Sequence, residues 1–119
     1  MAYSPSIVLG AVNAAIAVGA GAFGAHGLRE RIDARSLEIF ETAARYQMYH
    51  ALAIVLCGAI ATRGAKQAGW ILQAGIVIFS GSLYALALTG VKGLGAITPI
   101  GGLAFLVGWV WLAWTAWRD

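Results

Sequence analysis

Four apolar runs, each close to twenty residues long, leave this chain few ways to fold. A helix rising about 1.5 Å per residue needs about 20 residues to cross a hydrocarbon core about 30 Å thick, so such runs read as membrane spans. They are Ile7–Ala25, broken only by Asn13; Ala43–Thr62, clean from Ala51 on but polar in its first turns; Trp70–Leu88; and Ile97–Trp117. Lipid satisfies no backbone hydrogen bonds, which restricts a spanning segment to a helix or a closed barrel strand. Run length and the lack of period-two alternation exclude the barrel. The expected fold is all-α, a four-transmembrane-helix antiparallel bundle occupying residues 1–119 as one integral membrane domain.

Composition points the same way. Hydrophobic residues make up 61% of the 119 and charged residues 11%, against about 45–50% and about 25% in soluble domains. The net charge of +3 comes from scattered Arg and Lys with no basic stripe, so no nucleic-acid partner is expected. Cys57 is the single cysteine, cannot form an internal disulfide, and reads as a small buried hydrophobe. The N-terminus lacks the basic region of a signal peptide and its apolar run is too long for one, so the first span is expected to be retained.

The connections differ in kind. Arg63-Gly-Ala-Lys66 reads as a tight turn between spans two and three, and Gly90–Gly95 as a glycine-rich turn between three and four. The longer stretch Gly27–Thr42 holds Glu30, Asp33, Glu38 and Glu41, with Leu28, Ile32, Ile39 and Phe40 near helical spacing. It reads as a short amphipathic connector between helices 1 and 2, either an interfacial helix or an N-terminal extension of span two starting near Asp33 or Ser36. Short turns force antiparallel neighbours, hence a compact up-down-up-down bundle.

Small residues dominate the first span, and Ala17, Gly21 and Ala25, four apart, allow close backbone approach. Packing within the chain is one reading of that surface, and a homo-oligomer interface is the other. Tyr3, Trp70, Trp114 and Trp117 fall at helix ends on one membrane face and form an aromatic belt. That face carries Arg63, Lys66 and Arg118, and the opposite face carries Arg29, Arg31, Arg35, Arg45 and Lys92. The bare count of basic residues favours termini outside.

Polar side chains at membrane depth are costly, and each needs a partner or a task. The densest cluster opens span two: Arg45, Tyr46, Gln47, Tyr49 and His50. Glu41 and Arg45, four apart, can pair, and Tyr46 and His50 face the same way. His26 ends span one and approaches the same membrane face. Ser80, Ser82 and Tyr84 in span three and Thr98-Pro99 at the start of span four lie toward that half, whereas Asn13 and Gln73 lie nearer the other. The candidate intramembrane site is therefore His26, Arg45, Tyr46, Gln47, His50, Ser80, Ser82, Tyr84 and Thr98. One reading is a hydrogen-bond network that fixes helix register, with Arg45 neutralised by Glu38 or Glu41. Another is a permeation or solute site. A lipid or quinone headgroup pocket is a third, and haem or metal held by the two histidines a weaker fourth. The chain has no metal-ligand motif, no GxSxG and no base beside Cys57, so neither a bound metal or cofactor nor nucleophilic catalysis is expected.

Gly21-Ala-Phe-Gly-Ala-His26, Tyr46-Gln47 with His50-Ala-Leu-Ala53, Phe79-Ser-Gly-Ser-Leu-Tyr84, and Thr98-Pro99 with Gly101-Gly102 together resemble the YgdD/YwdK-like family. These are small multi-span inner-membrane proteins, a domain-of-unknown-function family, and the match runs in order from Ile7 to Trp109. The resemblance implies a multi-pass inner-membrane location and singles out Phe23, His26, Tyr46, Gln47, His50, Ser80, Ser82, Tyr84, Thr98 and Pro99. The family's basic C-terminal tail implies both termini inside, against the bare count of basic residues. Small multidrug exporters and dual-topology fluoride channels share only size: the first span has no glutamate and no arginine. The expectation is a non-enzymatic membrane protein acting as scaffold, assembly factor or lipid-contacting protein, with lipid or another membrane protein as partner. The alternative is a small oligomeric channel or transporter.

Overall fold

The computed structural model describes residues 4–118 and is all-helical. Four α-helices fall on the four apolar runs: α1 over Pro5–His26, α2 over Ala34–Ile60, α3 over Arg63–Thr89 and α4 over Thr98–Arg118. A 3₁₀ turn, Lys92–Ala96, lies between α3 and α4. Three of the helical segments, α1, α3 and the stretch from Lys92 through α4, are long and apolar enough to cross a membrane. Tyr3, expected in the aromatic belt, and Asp119 lie outside the described residues.

Side-chain caps set the helix starts. Ser4 Oγ accepts from Ile7 N–H with Pro5 at the first helical position, where its missing N–H is no loss. Asp33 accepts from Ser36 N–H at 2.7 Å and starts α2. Of the two readings of the connector, the extension of span two is therefore the one found. Residues 27–33 form turns rather than an interfacial helix, and the amphipathic stretch from Ala34 runs unbroken into α2. The Asp33 carboxyl is held below the usual carboxylate range chiefly by the Ser36 N–H.

The turn between α2 and α3 is shorter than expected. Thr62 Oγ1 accepts from Ala65 N–H at 3.1 Å, so Arg63-Gly-Ala-Lys66 is the first turn of α3 and only Ala61-Thr62 connects the helices. Ala61 closes α2 in the left-handed conformation, φ 64°, a position that favours glycine.

Named contacts fix an antiparallel order. Along α1 and α2, Gly10 lies against Ala51 and Val55, and Gly24 against Phe40. Ser80 of α3 meets Ala43 of α2, and Gly69 lies near Cys57. Gly64 of α3 meets Thr115 of α4, and Gly101 meets Phe79. Each helix packs on its chain neighbours, α1 touches α3 slightly, and α1 and α4 do not pack together. The arrangement is a flattened row, 49 × 31 × 16 Å, with α2 and α3 as the central pair, rather than the closed compact bundle expected from the short turns. The core lies in that pair: Ile54 and Cys57 of α2 and Leu72 and Ile76 of α3, with Phe105 from α4 and Leu9 from α1 against it.

Glycine is required where backbones come closest. A Cβ at Gly10 would sit 2.7 Å from the Ala51 carbonyl oxygen and 2.8 Å from Val55 N. One at Gly101 would run into the Phe79 backbone. The small-residue row that drew attention in the sequence behaves differently along its length. Ala17 is buried, but Gly21 has open space where a side chain would go, and Ala25 is exposed.

Candidate functional site

Four polar side chains from three helices form a continuous hydrogen-bonded relay. Tyr84 OH donates to Gln47 Oε1 at 2.8 Å, and Gln47 Nε2 donates to Asn13 Oδ1 at 3.1 Å. Asn13 Nδ2 donates to Gln73 Oε1 at 2.7 Å and to the Leu9 carbonyl one turn earlier in α1 at 3.0 Å. Asn13 and Gln47 are each 5% exposed, so the two amides meet out of contact with solvent or lipid. Tyr84 and Gln73 are separated by about 16 Å along α3, roughly half of a hydrocarbon core about 30 Å thick. Phe40 packs edge-on against the Tyr84 ring, centroids 5.0 Å apart, and fixes the end of the relay nearer the 27–33 connector.

Two hydroxyl contacts hold adjacent helices. Ser80 Oγ donates to the Ala43 carbonyl at 2.8 Å, joining α3 to α2. The Ser82 and Thr98 hydroxyls lie 2.6 Å apart and join α3 to the first residue of α4. One hydroxyl donates to the other, which is left to donate to backbone, with the Phe79 carbonyl 3.0 Å from Ser82 Oγ and the Leu94 carbonyl 3.4 Å from Thr98 Oγ1. Among the described residues no buried side-chain nitrogen or oxygen lacks a hydrogen-bond partner.

His50 sits in an aromatic stack. Its ring lies parallel to Phe105 of α4, centroids 3.6 Å apart, and its Nδ1–H donates to the Tyr46 carbonyl at 2.8 Å. Tyr46 shares a face with His50, as its spacing implied, and leans on Phe79 at 4.8 Å. This stack is where α2 reaches α4.

The sequence-derived set thus divides. Gln47 and Tyr84 belong to the relay, Ser80, Ser82 and Thr98 to the hydroxyl contacts, and Tyr46 and His50 to the stack. His26 stands apart, exposed at the last residue of α1. It does not meet His50: Phe40 packs on Gly24 near the end of α1, and His50 lies about 15 Å further along α2. Arg45 is also outside the network. Its guanidinium reaches Thr42 Oγ1 at 3.4 Å, on the exposed face of α2. The expected neutralisation by Glu38 or Glu41 is not formed. Glu38 instead pairs with Arg35 at 3.8 Å, the one ion pair among the described residues, where both groups extend into solvent.

Asn13 and Gln73, assigned from sequence to the other half of the bundle, are central to the network. Each is the lone amide of its run, and an amide at membrane depth demands a partner from another helix. That demand was the available signal. Phe105 gave none, because a phenylalanine in an apolar run carries no mark of stacking on a histidine.

Residues 20–102 match the family described as "Protein of unknown function (DUF423)". The chain is 53% identical to the UPF0382 membrane protein SAB0533 of Staphylococcus aureus, over 89% of each chain. It is 54% identical to a UPF0382 membrane protein of Staphylococcus epidermidis, over 87% of this chain and 88% of the relative. It is also 49% identical to the UPF0382 membrane protein YwdK of Bacillus subtilis, over 87% of this chain and 89% of the relative. No solved structure matches. The relatives are named membrane proteins, their likeness runs through nearly the whole helical row just described, and the chain belongs to the DUF423 family.

Proposed function

We propose that this is a four-pass cell-membrane protein and a non-enzymatic scaffold, whose buried polar network is structural and whose outer helix faces contact lipid and membrane-protein partners. The relay carries this reading. It ties α1, α2 and α3 through amides whose hydrogen-bonding groups face one another, and a network so satisfied holds register rather than awaiting a solute.

The crossing of α2 is supported by its neighbours. Gly10 and Ile7 of α1 lie level with Ala51 and Gly58 of α2, and Ser80 and Gly69 of α3 with Ala43 and Cys57. A helix flanked on both sides by apolar spans shares their slab. Its lower apolarity has two sources: the charged first turns, Arg35 to Arg45, and Gln47 and His50, which turn inward and spare the lipid.

Two measurements test the proposal. In a Cys57→Ala background, single cysteines at Arg29 and Lys92 should react with a membrane-impermeant thiol reagent from one side and a cysteine at Lys66 from the other. Labelling of positions 29 and 66 from the same side refutes the α2 crossing. Purified protein in liposomes should carry no flux of protons, halides or small cations above empty vesicles. Measurable flux replaces the scaffold with a channel or transporter.

A further inference from the structure

We propose that the groove between α1 and α2 around Arg45 is a seat for one ethanolamine phospholipid, with Arg45 taking the phosphate and Glu41 the ammonium. The groove is lined by Ala17 and Gly21 of α1 and by Glu41, Ala44, Arg45 and Met48 of α2. Gly21 has open space where a side chain would stand, which leaves the trough open on its α1 side.

Depth places the charge at a headgroup. Phe40 is level with Gly24, just short of the end of α1. Arg45 lies five residues further along α2, about 7 Å deeper along the axis. From there a long Arg side chain rises toward the interface along the groove wall. Among the described residues the guanidinium has no carboxylate partner, and it reaches Thr42 Oγ1 at 3.4 Å. An arginine facing lipid with only a neutral hydroxyl beside it calls for an anion, and a phosphate offers the forked geometry a guanidinium matches.

The order of charges selects among lipids. Glu41 sits one turn nearer the membrane surface than Arg45 on the same groove, and the two do not pair with each other. In phosphoethanolamine the phosphate is attached to the glycerol and the ammonium lies two carbons further out, so the headgroup runs negative then positive toward water. Arg45 and Glu41 present the complementary sequence. A glycerol headgroup would bring only its phosphate and leave the Glu41 carboxylate facing it. A choline headgroup has no N–H to donate to the carboxylate.

The inference rests on the four-pass, lipid-contacting reading, but its test is separate from labelling and flux. Full-length protein is exchanged into micelles containing equal dioleoyl phosphatidylethanolamine, phosphatidylglycerol and phosphatidylcholine, and retained lipid is measured by native mass spectrometry. One phosphatidylethanolamine should be kept over the other two. Arg45→Gln should lower its retention about tenfold, as expected for the loss of one charged hydrogen-bonded contact. Glu41→Gln should abolish the preference for ethanolamine over glycerol while leaving phosphate binding. Arg35→Gln, whose guanidinium is paired with Glu38, should change neither. Both groove residues lie outside the buried network, so the variants should keep the parent's helicity and melting temperature. Equal retention of the three lipids by the unmodified protein overturns the proposal, as does an ethanolamine preference that survives Glu41→Gln.

Discussion

Replacing Gln47 by Leu removes the middle of the relay and supplies a side chain of similar size that suits a helix. Two bonds are lost, from Tyr84 and to Asn13. Side-chain hydrogen bonds between membrane helices are worth about 0.6 kcal/mol on average and up to about 1.7. The expected loss is therefore about 1–3 kcal/mol, near the top if Tyr84 OH and Asn13 Oδ1 are left unpartnered. Asn13→Leu likewise loses two interhelix bonds, to Gln47 and Gln73, together with its own bond to the Leu9 carbonyl. The bond between Asn13 and Gln47 is counted in both single variants but broken once in the double. The double variant should thus be less destabilised than the sum of the singles by about one bond, about 0.6–1.7 kcal/mol. Unfolding of the purified protein in bicelles by titrated SDS, followed by far-UV circular dichroism, measures all four corners of this cycle. Strict additivity, or stabilisation by either single substitution, would refute the relay as a coupled structural unit.

Other perturbations probe separate features. Gly10→Ala should destabilise by about 1–3 kcal/mol because its Cβ would press on the Ala51 carbonyl, whereas Gly21→Ala should be tolerated; melting temperatures of the two compare them directly. Ala61→Gly should stabilise by about 0.5–1 kcal/mol, since the residue holds a left-handed φ, and the same SDS titration reads it. The Asp33 cap titrates with a definite sign. Its folded value is depressed, so its contribution is complete above about pH 4 and is lost as pH falls through the folded value. The protection of amide hydrogens in the first turn of α2, taken from the exchange rate relative to the unstructured chain at the same pH, should fall on acidification, and Asp33→Asn should remove that dependence.

How much of this was legible beforehand depends on the kind of signal. Long apolar runs located all four helices, the second despite Arg45 in its first turns, because the cost of unpaired backbone in lipid leaves few alternatives. Asp33 as a cap was readable for the same reason: a short acceptor before an apolar-periodic stretch has one common use. The turn between α2 and α3 was misplaced because Arg63 and Lys66 suggested a loop, whereas basic residues can also open a helix and project to an interface. Partner choice was harder still. Glu41 and Arg45 had the right spacing to pair, yet spacing specifies only who can meet, and Arg45 reaches Thr42 Oγ1 instead. Asn13 and Gln73 were assigned by depth along single helices. Which amides meet is decided by the antiparallel register and by the side on which α1 packs, and neither is written in one helix alone.

The row has two unlike flanks, and that difference governs how copies could assemble. The outer side of α1 has a smooth strip at Gly19, on a helix that also exposes Val12 and Val18, and the outer side of α4 is studded with Trp114 and Trp117, both exposed. Two copies meeting smooth side to smooth side would be related by a two-fold axis and stop at a pair. Smooth side to tryptophan side would instead be a head-to-tail contact, which must curve into a ring or continue as a ribbon in the plane of the bilayer. A dimer and a larger ring are thus different uses of the same flanks, and a bulky residue at Gly19 would block both.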